Sequence, residues 1–565
     1  MQLHGEEHTA THDNNNVVVN ELEAVKLRST GSKILPNGRL SPASPKRSGV
    51  DTSSLRRDSM PQPLYDRLKT LTSVAQAAEE QIRDLKAALR ETLRDNRPSL
   101  VPEAVSATSW PNGSARWTPS TTSTPNGSPK GSPPAGGGGK RQLRDKEFAV
   151  RNSVLTDLFA VSHINTIYHV AVMVLIVLVL KTLVQDLVEH GTINMSVGLI
   201  WYSFGGFHRV ITIWLVMMAG LLLQYAAYAH WAARRHQLSG LLRRGWDLAF
   251  LLLLVVFDAA LLTLPLLRML HYAMPFASSF ALLTEAVRVL MKSHAFVRSN
   301  VPRALRDGTV PGFNQFLYFM FAPTLVYCDS YPRTSQIRWR VVACHFLEVV
   351  GCLFYISFLT ERHLLYMFRD FGLRPFTPLE GVSAVLSTVL PAGLAFMCCF
   401  YLLLHSWHNA WAEMLRFGDR MFYMDWWNQG SFSAWYRTWN VLVQDWLYTY
   451  VYKDVVLLGG NGFVARVSVF FISAAVHEFI LGFALRFFYP VLYVFFGIIG
   501  FFLSFLALGS SAVGNIGLWL SLFLGDGMMF SFYAIEHYAR INCQQTIDSS
   551  WDLFIPRSWS CVPLT

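Results

Sequence analysis

From about residue 165 onward the chain is a succession of apolar runs separated by short polar breaks. Nine of these runs, at 166–186, 208–230, 248–270, 276–295, 341–361, 382–404, 464–488, 491–509 and 515–536, are each about the 20 residues that a bilayer core requires of a helix. The run NQFLYFMFAPTLVY (314–327) is too short to span and is expected to lie at the interface or to re-enter. Ahead of the apolar region, residues 1–60 and 98–139 are rich in Ser, Thr, Pro, Asn and Gly and cannot bury enough apolar surface to fold alone. Between them Leu64, Leu68, Leu71, Ala75, Ala78, Ile82, Leu85 and Leu89 follow alternating spacings of four and three, a heptad seam that Pro98 closes. The pattern predicts a helix over 62–95, either a self-associating coil or an amphipathic helix on the membrane surface. No basic segment followed by an apolar core opens the chain, so no cleavable signal peptide is expected. The expected organisation is a cytosolic, mostly disordered region over 1–147 and an all-α, polytopic membrane domain over 148–565.

Composition supports lipid as the solvent. The chain is 52% hydrophobic and only 15% charged, against about 25% charged in soluble domains. Its net charge of +10 reads first as cytosolic loops, and no nucleic-acid partner is expected. The basic segment KRQLRDKEFAVR (140–151) places the N-terminus in the cytosol; the acidic QDLVEH (185–190) follows the first span, and the basic stretches ARRHQLSGLLRRG and KSHAFVRSNVPRALR follow the second and fourth. This alternation makes 405–463 cytosolic and the C-terminus lumenal. One basic loop, TERHLLYMFRDFGLRPF (360–376), runs against it. Five of the seven cysteines lie in or beside apolar stretches and read as buried thiols. Cys543 and Cys561 lie in a polar tail, where they could pair in an oxidising compartment.

The seventh run carries His477 and Glu478 near its middle, and an ionisable pair at bilayer depth suggests function. Ser473 lies four residues before His477, on the same helix face. There is no HxxxH or HExxH spacing, so no metal site is expected, and no GxSxG elbow supports a covalent acyl-enzyme. A buried neutral imidazole can take a proton from an alcohol as that oxygen attacks an activated acyl group. A packing histidine, or a relay in a channel or transporter, are the alternatives. Asn440 and Trp439 end the aromatic stretch FYMDWWNQGSFSAWYRTWN (422–440) and are candidates to orient the imidazole or to donate to an oxyanion.

The motif FYMDWWN, with Phe422, Tyr423, Asp425, Trp426, Trp427 and Asn428, resembles one found in the membrane-bound O-acyltransferase family, which includes sterol and diacylglycerol acyltransferases. The likeness continues through VLMKSHAFVRSNVPR, FAPTLVYCDSYPR, YRTWN, DWLYTYVYKD, AAVHEF, SLFLG and the tail HYARINC…RSWSC, over roughly 148–565, and is greater to the sterol branch. The resemblance implies an endoplasmic reticulum enzyme that passes a long-chain acyl group from acyl-CoA, a substrate and not a cofactor, to a sterol 3β-hydroxyl. It implies His477 as general base, Asn440 with Trp439 beside it, and Tyr452 and Ser473 against acyl-CoA. Tyr436 is placed with them. Arg437 and Lys453 are candidates for CoA phosphates, or are solvated cations. Asp425 is expected to tie the aromatic belt together. Cys543 and Cys561 match a lumenal disulfide, and the family forms dimers and dimers of dimers. The glycine-rich LLGGNGF (457–463) departs from the family, whose members carry more Lys or Arg there. A diacylglycerol acyltransferase and a lipid transporter or sensor are the rival readings.

Overall fold

The computed structural model describes residues 143, 145–375, 377–506, 511–545, 547 and 549–563. The expected helix over 62–95 and nearly all of the region 1–147 lie outside the described residues.

Among the described residues the elements are helical, with isolated β-bridges only. We number the principal helices α1 (Ser162–His190), α2 (Phe207–Arg235), α3 (Gly240–His271), α4 (Phe276–Asp307), α5 (Phe313–Phe321), α6 (Trp339–Phe368), α7 (Pro378–Met414), α8 (Phe432–Thr438), α9 (441–457), α10 (Gly462–Leu485), α11 (Tyr493–Leu503) and α12 (Ser511–Asn542). Starts and stops follow local chemistry. Thr377 and Glu380 form a capping box at α7 with Pro378 in the first turn. Asn461 Oδ1 accepts from the N–H groups of Phe463 at 3.0 Å and Val464 at 2.9 Å and so opens α10. Gly191 and Gly308 end α1 and α4 in the left-handed region.

Among the described residues seven helices, α1–α3, α6, α7, α10 and α12, are long and apolar enough to cross a membrane. The fourth and eighth predicted spans differ in kind. α4 is long, but it is strongly amphipathic and threads the interior, packed on α2, α3 and α10. Its Lys292 is buried and donates to the carbonyls of Phe319 at 2.5 Å and Ala322 at 2.6 Å. Arg288 donates to the Met320 carbonyl at 3.0 Å. These cations satisfy the C-terminal carbonyls of α5, the short apolar segment expected to re-enter. α11 replaces the eighth predicted span, and at 1.5 Å per residue it is only about 16 Å long.

Contacts sort the connections onto two faces. On the first, Arg151 binds Asp419 at 2.6 Å, Lys146 binds Asp445 at 2.6 Å, His236 meets the Ala304 carbonyl at 3.0 Å and Arg298 binds Asp454 at 2.7 Å. On the second, Arg362 grips Asp186, Ser278 donates to the Gly205 carbonyl at 3.1 Å, and Arg486 to the Met274 carbonyl at 2.9 Å. There too Asn542 donates to the Phe371 carbonyl at 2.7 Å, and Cys543 and Cys561 form a disulfide. By these contacts α4, polar as it is, runs from one face to the other, and α11 begins at the second face. The basic loop 360–376 that opposed the charge rule is neutralised in place: Arg362 by Asp186, Arg369 by Asp370 and Arg374 by Glu380.

Candidate active site

Most rings of the aromatic motif are core, and the motif leads through Trp439 to Asn440. Phe422, Tyr423 and Trp426 are buried. The loop is clamped to the segment leading into α9: Val441 N–H donates to the Phe422 carbonyl at 2.9 Å, and Met424 N–H to the Thr438 carbonyl at 2.8 Å. The Trp426 ring lies 4.7 Å from Trp439, 5.1 Å from Phe400 and 5.4 Å from Trp519. The Trp427 carbonyl accepts from Asn515 Nδ2 at 2.8 Å and Trp519 Nε1 at 3.1 Å, which pins the loop to α12. A side chain at Gly514 would strike the Gly430 carbonyl at 2.3 Å, so only glycine permits this approach. Asp425 takes a tying position: Gln429 Nε2 donates to its carboxylate at 3.3 Å and to its carbonyl at 3.1 Å. Asn428 is exposed. Burial raises the Tyr423 phenol above its ordinary pKa.

On α10, His477 Nδ1 lies 2.7 Å from the carbonyl oxygen of Ser473. A carbonyl only accepts, so Nδ1 carries the proton and Nε2 keeps the lone pair. The imidazole is therefore held in the tautomer that a general base needs. Its ring lies 5.2 Å from that of Phe496 on α11. His477 is exposed. Glu478 has a separate task. It is buried, and its Oε2 accepts from the Tyr493 N–H at 3.0 Å, so it anchors the first turn of α11.

Asn440 is the N-cap of α9, its Oδ1 accepting from the Val443 N–H at 3.2 Å; the amide NH2 remains as a donor. No hydrogen bond joins Asn440 to His477 among the described residues. A row of rings connects them instead. Trp439 lies 5.4 Å from Trp435, Trp435 4.9 Å from Tyr436, and Tyr436 5.4 Å from Phe496, the ring that faces His477. Trp439 also stacks flat on Phe396 at 4.6 Å. Tyr452 stacks on Tyr448 at 5.5 Å, and Ser473 enters the site through its carbonyl.

The two candidate cations separate. Arg437 Nη1 donates to Ser433 Oγ at 2.8 Å, with no carboxylate partner among the described residues. Burial lowers its pKa from the ordinary arginine value. Lys453 is paired: its Nζ binds Asp145 at 2.7 Å and lies 5.1 Å from the Tyr448 ring centre.

Sequence reading passed over His345, Glu348 and His405, whose ligand atoms all lie within 4.8 Å of one another. That donor set could hold a divalent cation. Each member already has a partner: His345 Nδ1 bonds Glu348 at 2.9 Å, Ser406 Oγ donates to Glu348 at 2.7 Å, and His405 Nδ1 lies 2.7 Å from the Tyr423 phenol. The spacing of His345 and Glu348 on one helix face was the signal, without an HExxH pattern to mark it.

The profile of the membrane-bound O-acyltransferase family matches residues 198–535. The chain is similar to sterol O-acyltransferase 1 of the mouse, 43% identical over 74% of this chain and 79% of the relative. It is 44% identical to the rat sterol O-acyltransferase 1 over 74% of this chain and 78% of that protein. With the human sterol O-acyltransferase 2 it shares 40% identity over 74% of this chain and 81% of the relative.

Proposed function

Since this chain belongs to the membrane-bound O-acyltransferase family, we propose that it is an acyl-CoA-dependent sterol O-acyltransferase, which moves a long-chain acyl group from acyl-CoA to a sterol 3β-hydroxyl. The observation that carries the chemistry is the bond from His477 Nδ1 to the Ser473 carbonyl, because it leaves Nε2 free to take a proton.

The transfer is direct. Nε2 of His477 removes the hydroxyl proton as the sterol oxygen attacks the thioester carbon. The C–S bond then breaks, the acyl carbon keeps the new C–O bond, and the CoA thiolate takes the proton from the imidazolium. The Asn440 NH2 donates to the oxygen that gains charge in between. Arg437, with no carboxylate partner among the described residues, attracts the CoA phosphates at the first face. The sterol arrives from lipid and stays in apolar surroundings throughout.

The same reading makes the first face cytosolic and the second the lumen of the endoplasmic reticulum, where the Cys543–Cys561 disulfide persists. Homodimers or homotetramers are the expected assembly.

The purified protein is offered oleoyl-CoA with cholesterol and diacylglycerol in one membrane preparation. Steryl ester with stoichiometric CoA release is expected. Triacylglycerol as the main product would assign the protein to the diacylglycerol branch, and acyl-CoA left intact would remove the enzymatic reading.

A further inference from the structure

We infer that Tyr436 and Gly500 are a matched pair that positions the catalytic imidazole, through Phe496; the inference rests on the acyl-transfer reading of His477. α11 is too short to cross the bilayer, so its place is set by what it touches. A β-carbon built at Gly497 would lie 2.7 Å from that of Ala474 on α10, three residues before His477. A β-carbon at Gly500 would lie 2.1 Å from the Tyr436 hydroxyl and 3.3 Å from the ring carbon that bears it. One glycine lets α11 lie against α10, and the other is a notch filled by the Tyr436 phenol. Between them projects Phe496. Tyr436 meets this ring edge-on at 5.4 Å, and its hydroxyl points to the Phe496 carbonyl at 3.4 Å. Phe496 in turn faces His477 at 5.2 Å. Phe470 closes the far side of Tyr436 at 4.9 Å.

The imidazole is fixed at Nδ1 by its own helix, which leaves rotation of the ring plane to be limited by its neighbours. Phe496 is the neighbour seated against it, and Tyr436 in the notch, together with Phe470 at 6.4 Å, limits where the Phe496 ring can go. Tyr436 is thus a positioning residue.

The test is steady-state kinetics on the full chain in lipid nanodiscs, with acyl-CoA varied at saturating acceptor. Gly500→Ala drives the methyl into the phenol. The expected result is a kcat lower by about tenfold or more with the KM for acyl-CoA within about twofold, since a shift of about 1 Å in a reacting group costs on the order of 100-fold. The double variant Gly500→Ala, Tyr436→Phe removes the colliding oxygen and should regain most of the lost kcat. Gly351→Ala, where a β-carbon meets nothing within 4 Å, should leave the rates alone. If Gly500→Ala does not assemble, Tyr436→Ala empties the notch instead and should likewise lower kcat without raising KM. Wild-type kcat in Gly500→Ala or in Tyr436→Ala overturns the inference, as does a loss that Tyr436→Phe fails to repair. A wild-type protein that forms no ester sinks the functional reading instead.

Discussion

His477 donates its Nδ1 proton to the carbonyl of Ser473, one helical turn earlier, at 2.7 Å. The bond uses backbone alone, so the side chain at 473 is not what sets the tautomer. His477→Ala should lower ester formation by about 10²–10⁴-fold, the usual contribution of a general base. Because the ring is exposed, gel-filtration profile and thermal midpoint should hold. Ester formed at the normal rate from radiolabelled oleoyl-CoA would exclude His477 as the base.

Glu478 and His477 are adjacent yet engaged apart, which separates an anchor from a proton relay. Glu478→Gln keeps an oxygen to accept the Tyr493 N–H and should retain most of the activity. Glu478→Ala leaves that N–H without a partner, at a cost of about 1–3 kcal/mol, and should lower both thermal midpoint and rate. A relay requires the opposite order, with the Gln variant dead, and pH-dependent turnover of the two proteins decides it.

Arg362, in the last turns of α6, makes several bonds that hold the end of α1, to Asp186 and to the Asn194 carbonyl at 2.8 Å. None of α1's apolar window is fully buried, and its other ties are partial: Leu175, Leu178 and Val179 pack at the edge of the Tyr355 cluster, and the Leu175 carbonyl accepts from the Tyr355 hydroxyl at 3.2 Å. Arg362→Ala should cost about 2–3 kcal/mol and open the 186–194 segment to hydrogen exchange. Unchanged exchange there would show that α1 is held by other means.

Arg437 and Lys453 should differ although both are basic and both lie near the first face. Arg437→Ala should raise the KM for acyl-CoA several-fold, and the effect should shrink with added salt as charge is screened. Lys453→Ala should have the smaller effect, because Asp145 already takes that charge. A larger effect at Lys453 would mean that acyl-CoA displaces Asp145. Dephospho-CoA thioesters identify which phosphate is read.

Periodicity alone gives the all-α membrane class, because in lipid a helix must satisfy its backbone internally and must present some 20 apolar residues to do so. The sequence also offers His477 as base, since an imidazole among Phe, Ile and Ala is conspicuous by contrast. α4 and α11 were legible as segments and not as kinds. A polar helix is tolerated when other helices surround it, and Lys292 is legible only once the α5 carbonyls lie beside it. The reverse failure occurs at α11, where an apolar run looks like a span until the glycines that dock it are seen.

What the order of residues determines here is the solvent and the helices, since each arises from a local property of the chain, and it singles out His477 as the candidate base. What only the tertiary structure decides is partnership. Asp186 finds Arg362, Lys453 finds Asp145, Glu478 finds the backbone of Tyr493, and Tyr436 finds the gap at Gly500. The partners of these pairs lie from 15 to 308 positions apart, and a hydrogen bond or a steric fit depends on ångströms that no spacing along the chain encodes.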